Sequence, residues 1–174
     1  MKRVARFEKV SFEQFKSDFL RSGITNKTEW KEEELIEIYD KIKLPKRSTS
    51  GSAGYDFYLP VELVLVSGVE KTIPTGIKAY MEDGWVLQTY PRSGQGFKYK
   101  LRLNNTVGII DKDYYNNESN EGHIMIKVCV EKVDTHLKLE CGQAFAQGIF
   151  VEFGITEDDE CETQRTGGFG STDN

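Results

Sequence analysis

Cysteine is scarce in this sequence of 174 residues, and its three occurrences, Cys129, Cys141 and Cys161, are an odd, widely spaced set without a CxxC pair. That usage argues against a disulfide framework or a zinc site and fits a reducing cytoplasm. Histidine is scarcer still. His123 and His136 lack any metal-ligand spacing, and both are expected to be ordinary packed or surface residues. No run of 18 apolar residues occurs, so no helical membrane span is expected. Met1-Lys2-Arg3 is followed by alternating charge, where a signal peptide would have an apolar stretch. A basic excess is also missing. Twenty-three basic side chains face 28 acidic ones, giving a net charge of −5, which speaks against nucleic acid or anionic membrane as a partner. The chain contains neither an internal repeat nor a low-complexity tract.

What is present is unevenly distributed. Residues 152–174 carry seven acids and one base, Arg165, whereas 84–110 carry four bases (Arg92, Lys98, Lys100, Arg102) and no acid. Such a stretch suits a small polyanion or a solvated strand edge. Residues 11–42 have a helical texture. Ser11-x-x-Gln14 suggests a capping box, Phe12, Phe15 and Phe19 follow at helical spacing, and Gly23 closes the helix. Leu35, Ile38, Tyr39 and Ile42 predict a second helix over 28–42, with Glu32, Glu33 and Glu34 near its start.

From Leu44 onward the pattern changes to short strands separated by Gly, Pro, Asn and Asp. Strands are predicted at 63–66, 73–81, 85–90, 124–130 and 144–153. Alternation in the fourth of these buries Ile124, Ile126, Val128 and Val130 and puts Cys129 off the core face. Many short strands without intervening helices indicate an all-β sandwich, jelly roll or barrel.

Five segments could carry chemistry. Ala53-Gly54-Tyr55-Asp56-Phe57 sets a carboxylate at a strand start, and Pro91-Arg92-Ser93-Gly94 leaves a strand with a guanidinium and a hydroxyl together. The second arrangement can present an Arg fork and N–H groups to phosphate oxygens. In Asn105-Thr106-Val107-Gly108-Ile109-Ile110-Asp111-Lys112-Asp113-Tyr114, the apolar residues should bury a strand or hairpin with Asn105 and Asp111 at its ends. A carboxamide matches the edge of a pyrimidine, and a carboxylate can deprotonate water. Gly142-Gln143-Ala144-Phe145-Ala146-Gln147 places a polar side chain within an apolar strand, and Arg165-Thr166-Gly167-Gly168-Phe169-Gly170-Ser171-Thr172 is a Gly-rich arm with one aromatic. Each segment alone is also compatible with ordinary turn chemistry.

In this order, however, the five segments resemble the motifs of the trimeric dUTPases, over roughly residues 44–174. The resemblance implies a single domain over 1–174, all-β, a distorted jelly roll of the dUTPase type. A small helical insertion at 11–42 would follow a first strand at 2–7, and an arm at 164–174 would close over the site. It implies a homotrimer with shared active sites that uses Mg2+ to convert dUTP to dUMP and pyrophosphate, which the cysteine usage places in the cytoplasm. It makes Asp111 the base that activates water, and Asp56 the carboxylate that holds metal-bound water. Arg92, Ser93, Gly94 and Gln147 become phosphate contacts. Asn105, Gly108 and Ile110 line the uracil site, and Tyr114 lies under the deoxyribose. Arg165, Phe169, Gly170, Ser171 and Thr172 are the arm residues, with Phe169 stacking on uracil.

Several features depart from that pattern. Arg165 stands one residue nearer the glycines than is usual, Gln143 and Ala144 replace an acid and an arginine, and residues 116–121 form an extra loop. A dCTP deaminase of the same fold, also in bifunctional form, and a regulatory protein-binding module on the same scaffold are the competing readings. The helices and the extra loop are the surfaces such a protein partner would use.

Overall fold

The structure, a computed structural model, describes residues 2–161. The expected arm, with Arg165, Phe169, Gly170, Ser171 and Thr172, lies outside the described residues.

Strand β1 (Ala5–Lys9) opens the fold and pairs antiparallel with β6 (Ile77–Met81). A strand expected at 2–7 thus forms, displaced toward 5–9. Helix α1 (Phe12–Ser22) follows, ending at Gly23 in the left-handed conformation, φ 59°. Its Phe15 and Phe19 are buried, each worth about 1.5–3 kcal/mol relative to exposure. Helix α2 (Glu32–Asp40) is shorter than the 28–42 pattern suggested. The Glu34 carboxylate accepts the Lys31 backbone N–H at 3.0 Å, and three acids occupy the first turn, where the helix dipole favours them.

The remaining elements build an antiparallel jelly roll. Strands β2 (Lys46–Arg47), β3 (Tyr55–Tyr58), β12 (Ala144–Glu152), β7 (Trp85–Pro91) and β9 (Gly108–Ile110) form a five-stranded sheet in that order. A three-stranded sheet runs β5 (Lys71–Pro74), β10 (Met125–Val130), β8 (Leu101–Leu103), and β11 (His136–Leu139) pairs with β4 (Leu63–Val66). The stretch 73–81, expected as one strand, divides at Thr75-Gly76, where Gly76 has φ 71° and the chain turns from β5 into β6.

Phe15, Phe19 and Leu35 from the helices join Phe57, Leu63, Ile73, Leu87 and Phe145 from the strands in one hydrophobic core. Cys129 lies outside this cluster, as the alternation of β10 predicts, yet it is buried, because Val128, Cys129 and Val130 are covered on both faces of the strand.

Candidate active site

Three of the motif segments meet at one end of the five-stranded sheet. Gln147 in β12 pairs in register with Asp56 on β3 and with Tyr90 on β7, one residue before Pro91. Asp56 is buried. Its Oδ1 takes Arg92 Nε at 3.0 Å and its Oδ2 accepts Ser48 Oγ at 2.8 Å. Gln147 Nε2 donates to the Pro91 carbonyl at 3.2 Å. The sheet register thus brings together side chains that stand 91 positions apart in sequence. Burial raises the Tyr58 phenol, and the nearby Asp56 carboxylate raises it further while Arg92 opposes it, so this tyrosine stays neutral beside the pair.

Arg92 is not in a simple turn. It caps a seven-residue helix α3 (Ser93–Tyr99), which the glycines of Ser93-Gly94-Gln95-Gly96 disguised as loop. Gln95 Nε2 donates to the Ala144 carbonyl at 3.2 Å and so ties this helix to β12. Ser93 and Gly94 are exposed at its start, and Arg92 is half-buried. Ser48, the second partner of Asp56, had no sequence signal beyond its position in a Ser/Thr-rich loop.

The Asn105–Tyr114 segment forms a second site. Strand β9 pairs with β7 through Leu87–Ile110, Gln88–Ile109 and Thr89–Gly108. Ile110 is buried, but Ile109 is 53% exposed, contrary to the expectation that both would be covered. Period-2 alternation puts the two side chains on opposite faces of β9, and only the Ile110 face is covered. Asn105, Gly108, Ile109 and Ile110 line a cavity of about 490 Å³, together with Thr72, Thr89 and residues 124–127. A Cβ at Gly108 would collide with Thr89 Oγ1, so only glycine lets the hairpin lie this close to β7. Asp111, half-buried, is the extended residue before a 3-10 turn (Lys112–Tyr114). Tyr114 is buried, and its hydroxyl donates to the His123 carbonyl at 2.9 Å.

The two groups lie apart within one subunit. Asp56 is level with Tyr90 of β7, whereas Asp111 follows the Leu87–Ile110 pair. Four residues along the sheet and three strand spacings across it put their backbones about 20 Å apart.

A mostly β jelly roll thus carries a carboxylate, a guanidinium and a carboxamide at one sheet end and a largely apolar hairpin cavity elsewhere. Comparison with known proteins specifies the class. The dUTPase family model matches residues 40–173, beginning at the last residue of α2. The deoxyuridine 5'-triphosphate nucleotidohydrolase of Lactococcus lactis subsp. lactis is 47% identical over 133 residues, covering 75% of this chain and 88% of that protein. Among solved structures, the dUTPase from Streptococcus mutans superimposes with a TM-score of 0.59 at 42% identity, covering 66% of this chain and 88% of that one. A mutant dUTPase from phage phi11 of S. aureus, described with a structural Mg(II) ion, shares the fold with a TM-score of 0.56 at 20% identity, covering 70% of this chain and 90% of that one. The chain belongs to the dUTPase family.

Proposed function

We propose that this protein hydrolyses dUTP to dUMP and pyrophosphate, with each site completed by more than one copy of the chain. The observation that carries the reading is the sheet-end cluster of Asp56, Arg92 and Gln147, three motif positions that the register of β3, β7 and β12 gathers at one point. A family match over residues 40–173 supports the substrate. The roughly 20 Å between the Asp56 and Asp111 backbones supports the sharing, because a base and a metal-side carboxylate that far apart cannot serve one α-phosphate.

In this reading the Arg92 guanidinium, Ser93, the Gly94 backbone and Gln147 bind phosphate oxygens. A neighbouring copy supplies the hairpin. There Asn105, Gly108 and Ile110 enclose uracil, and the Tyr114 ring packs under the sugar where a 2′-hydroxyl would need room. Asp111 accepts a proton from the water that attacks the α-phosphorus in line, and pyrophosphate leaves. Arg165, Phe169, Gly170, Ser171 and Thr172 close over the bound nucleotide. The hairpin selects uracil over cytosine because the wrong base leaves a buried polar group unpaired.

Among the described residues no group of three His, Cys, Asp or Glu side chains could hold a metal ion by itself. Asp56 is a single carboxylate that is already paired, and this fits Mg2+ held through water, with most ligands coming from solvent and triphosphate. When bound there, the ion would neutralise charge on the phosphate oxygens.

The experiment is a nucleotide panel with Mg2+, comparing dUTP, dTTP, dCTP and UTP. Pyrophosphate release from dUTP alone is expected, abolished by Asp111→Asn and sharply weakened by deleting residues 164–174. Equal turnover of dCTP, or full activity of Asp111→Asn, would overturn the reading and favour the deaminase or a purely binding role.

A further inference from the structure

The helices α1 and α2 and the loop that follows Tyr114 have no part in the chemistry above, yet the structure joins α1 to the loop at two points. At the first, Glu121 substitutes for the missing half of the α1 capping box. Gln14, the expected partner, turns instead to Asp18 at 2.7 Å. The Ser11 backbone N–H donates to Glu121 Oε2 at 2.8 Å and the Ser11 hydroxyl to Oε1 at 2.5 Å. At the second, His123, fully buried, places Nδ1 2.6 Å from Asp18 Oδ2, further along α1. Its Nε2 accepts the Gly76 N–H at 2.7 Å, so the ring proton sits on Nδ1 and points to the carboxylate.

The loop converts these anchors into constraints on Tyr114. Its hydroxyl donates to the His123 carbonyl and accepts Asn120 Nδ2 at 2.7 Å. Asn120 is itself held, because its Oδ1 accepts Asn117 Nδ2 at 2.8 Å and the Gly122 N–H at 3.1 Å. Asn117 Nδ2 also donates to the Tyr114 carbonyl at 2.8 Å. Gly122, at φ 80°, lies so close that a Cβ would fall 2.5 Å from that same carbonyl. The tyrosine is therefore fixed at both its backbone and its hydroxyl by a loop that is pinned to α1.

We propose that α1 braces the Tyr114 ring through the buried Asp18–His123 pair and Asn120, making these three positioning residues for discrimination against the 2′-hydroxyl. The inference deepens the functional reading, since it rests on Tyr114 lying under the sugar. With the brace in place the ring cannot withdraw. With it loosened, the ring yields and a ribonucleotide gains room.

The test compares kcat and KM for dUTP and UTP in the full-length enzyme. Asn120→Ala and Asp18→Ala should each lower the dUTP-to-UTP ratio of kcat/KM by about fivefold to tenfold, the order of one lost hydrogen bond. Asp18→Asn, which keeps an oxygen acceptor for the imidazole, should restore most of the ratio. Leu137→Ala in β11, which removes buried volume in the β4–β11 pair and none of the brace's hydrogen bonds, should destabilise the protein and leave the ratio unchanged. The effects of Asp18→Ala and Tyr114→Phe should be less than additive. Amide hydrogen exchange reads the brace without turnover, since Asp18→Ala should speed exchange across 114–124 and Leu137→Ala should not. An unchanged ratio, full additivity with Tyr114→Phe, or unchanged exchange in Asp18→Ala overturns the brace. Faster exchange in a protein whose wild type never turns over dUTP supports the brace and refutes the functional reading.

Discussion

If Asp56 and Asp111 serve one site from different copies, two inactive variants should repair each other. The register puts the two backbones about 20 Å apart, from four residues along β7 and three strand spacings between β3 and β9. A carboxylate side chain reaches only a few ångströms, so one copy cannot bring both groups to one phosphorus. Consider Asp56→Ala and Asp111→Ala chains, each inactive alone, mixed in equal amounts and allowed to assemble randomly into cyclic trimers. A site works only when the copy giving Asp56 and the neighbour giving Asp111 are both intact at those positions, so mixing should restore about one quarter of wild-type turnover. The assay is pyrophosphate release from dUTP with Mg2+ on doubly tagged, co-purified mixed oligomers. In these purified mixed trimers one junction of the three is productive, so recovery near one third, against one quarter in the unfractionated mixture, requires separate donors. Mixed oligomers that assemble yet show only the residual activity of the parents would mean that both carboxylates act within one copy, and the register argument would fail.

Four further outcomes follow from contacts already described. Asp18→Ala leaves the buried His123 N–H without an acceptor and should cost about 2–4 kcal/mol in urea unfolding, whereas Arg21→Ala, whose side chain is 71% exposed, should cost less than about 1 kcal/mol. Equal costs would refute the distinction. Burial opposes ionisation of Asp18 and of Glu121, but hydrogen bonds from His123 and Gln14 to the first and from Ser11 to the second hold both below their ordinary values of 3.8 and 4.5. Their stabilisation should therefore be complete above those values and vanish as the pH falls through the depressed folded ones, and Asp18→Ala should flatten the acid limb of a urea-midpoint profile. Gly108→Ala pushes a methyl group into Thr89 Oγ1 and should raise the dUTP KM about tenfold or more, with the fold retained by circular dichroism. Cys129 is buried and its thiol is pushed up by that burial, so a thiol reagent should titrate Cys141 and Cys161 quickly and Cys129 only on unfolding.

The parts of this molecule that were legible in the sequence are those set by local rules. The Phe12-Phe15-Phe19 stripe and Gly23 bracket α1 to the residue, and the 63–66 strand emerges where the β-branched run predicts it. Local rules failed where a distant residue took over. Ser11-x-x-Gln14 has the form of a capping box, yet the acceptor that closes it is Glu121, 110 positions away, and Gln14 is diverted to Asp18. His123 offered no ligand spacing and so looked incidental. Its role depends on Asp18 and Gly76, which lie 105 and 47 positions away. The 73–81 run divides at Thr75-Gly76, where Gly76 takes φ 71° and its N–H donates to His123 Nε2, a partner 47 positions away that the local pattern does not contain. The candidate site follows the same division. Asp56 and Gln147 each sit at a strand position that can be read locally, and Arg92 just past a strand end, but their meeting is a property of the β3–β12–β7 register, which no segment contains. Pattern therefore locates candidate groups, while register decides which of them can share a phosphate. In this chain the register separates Asp56 from Asp111, and under the proposed mechanism their reunion falls to assembly.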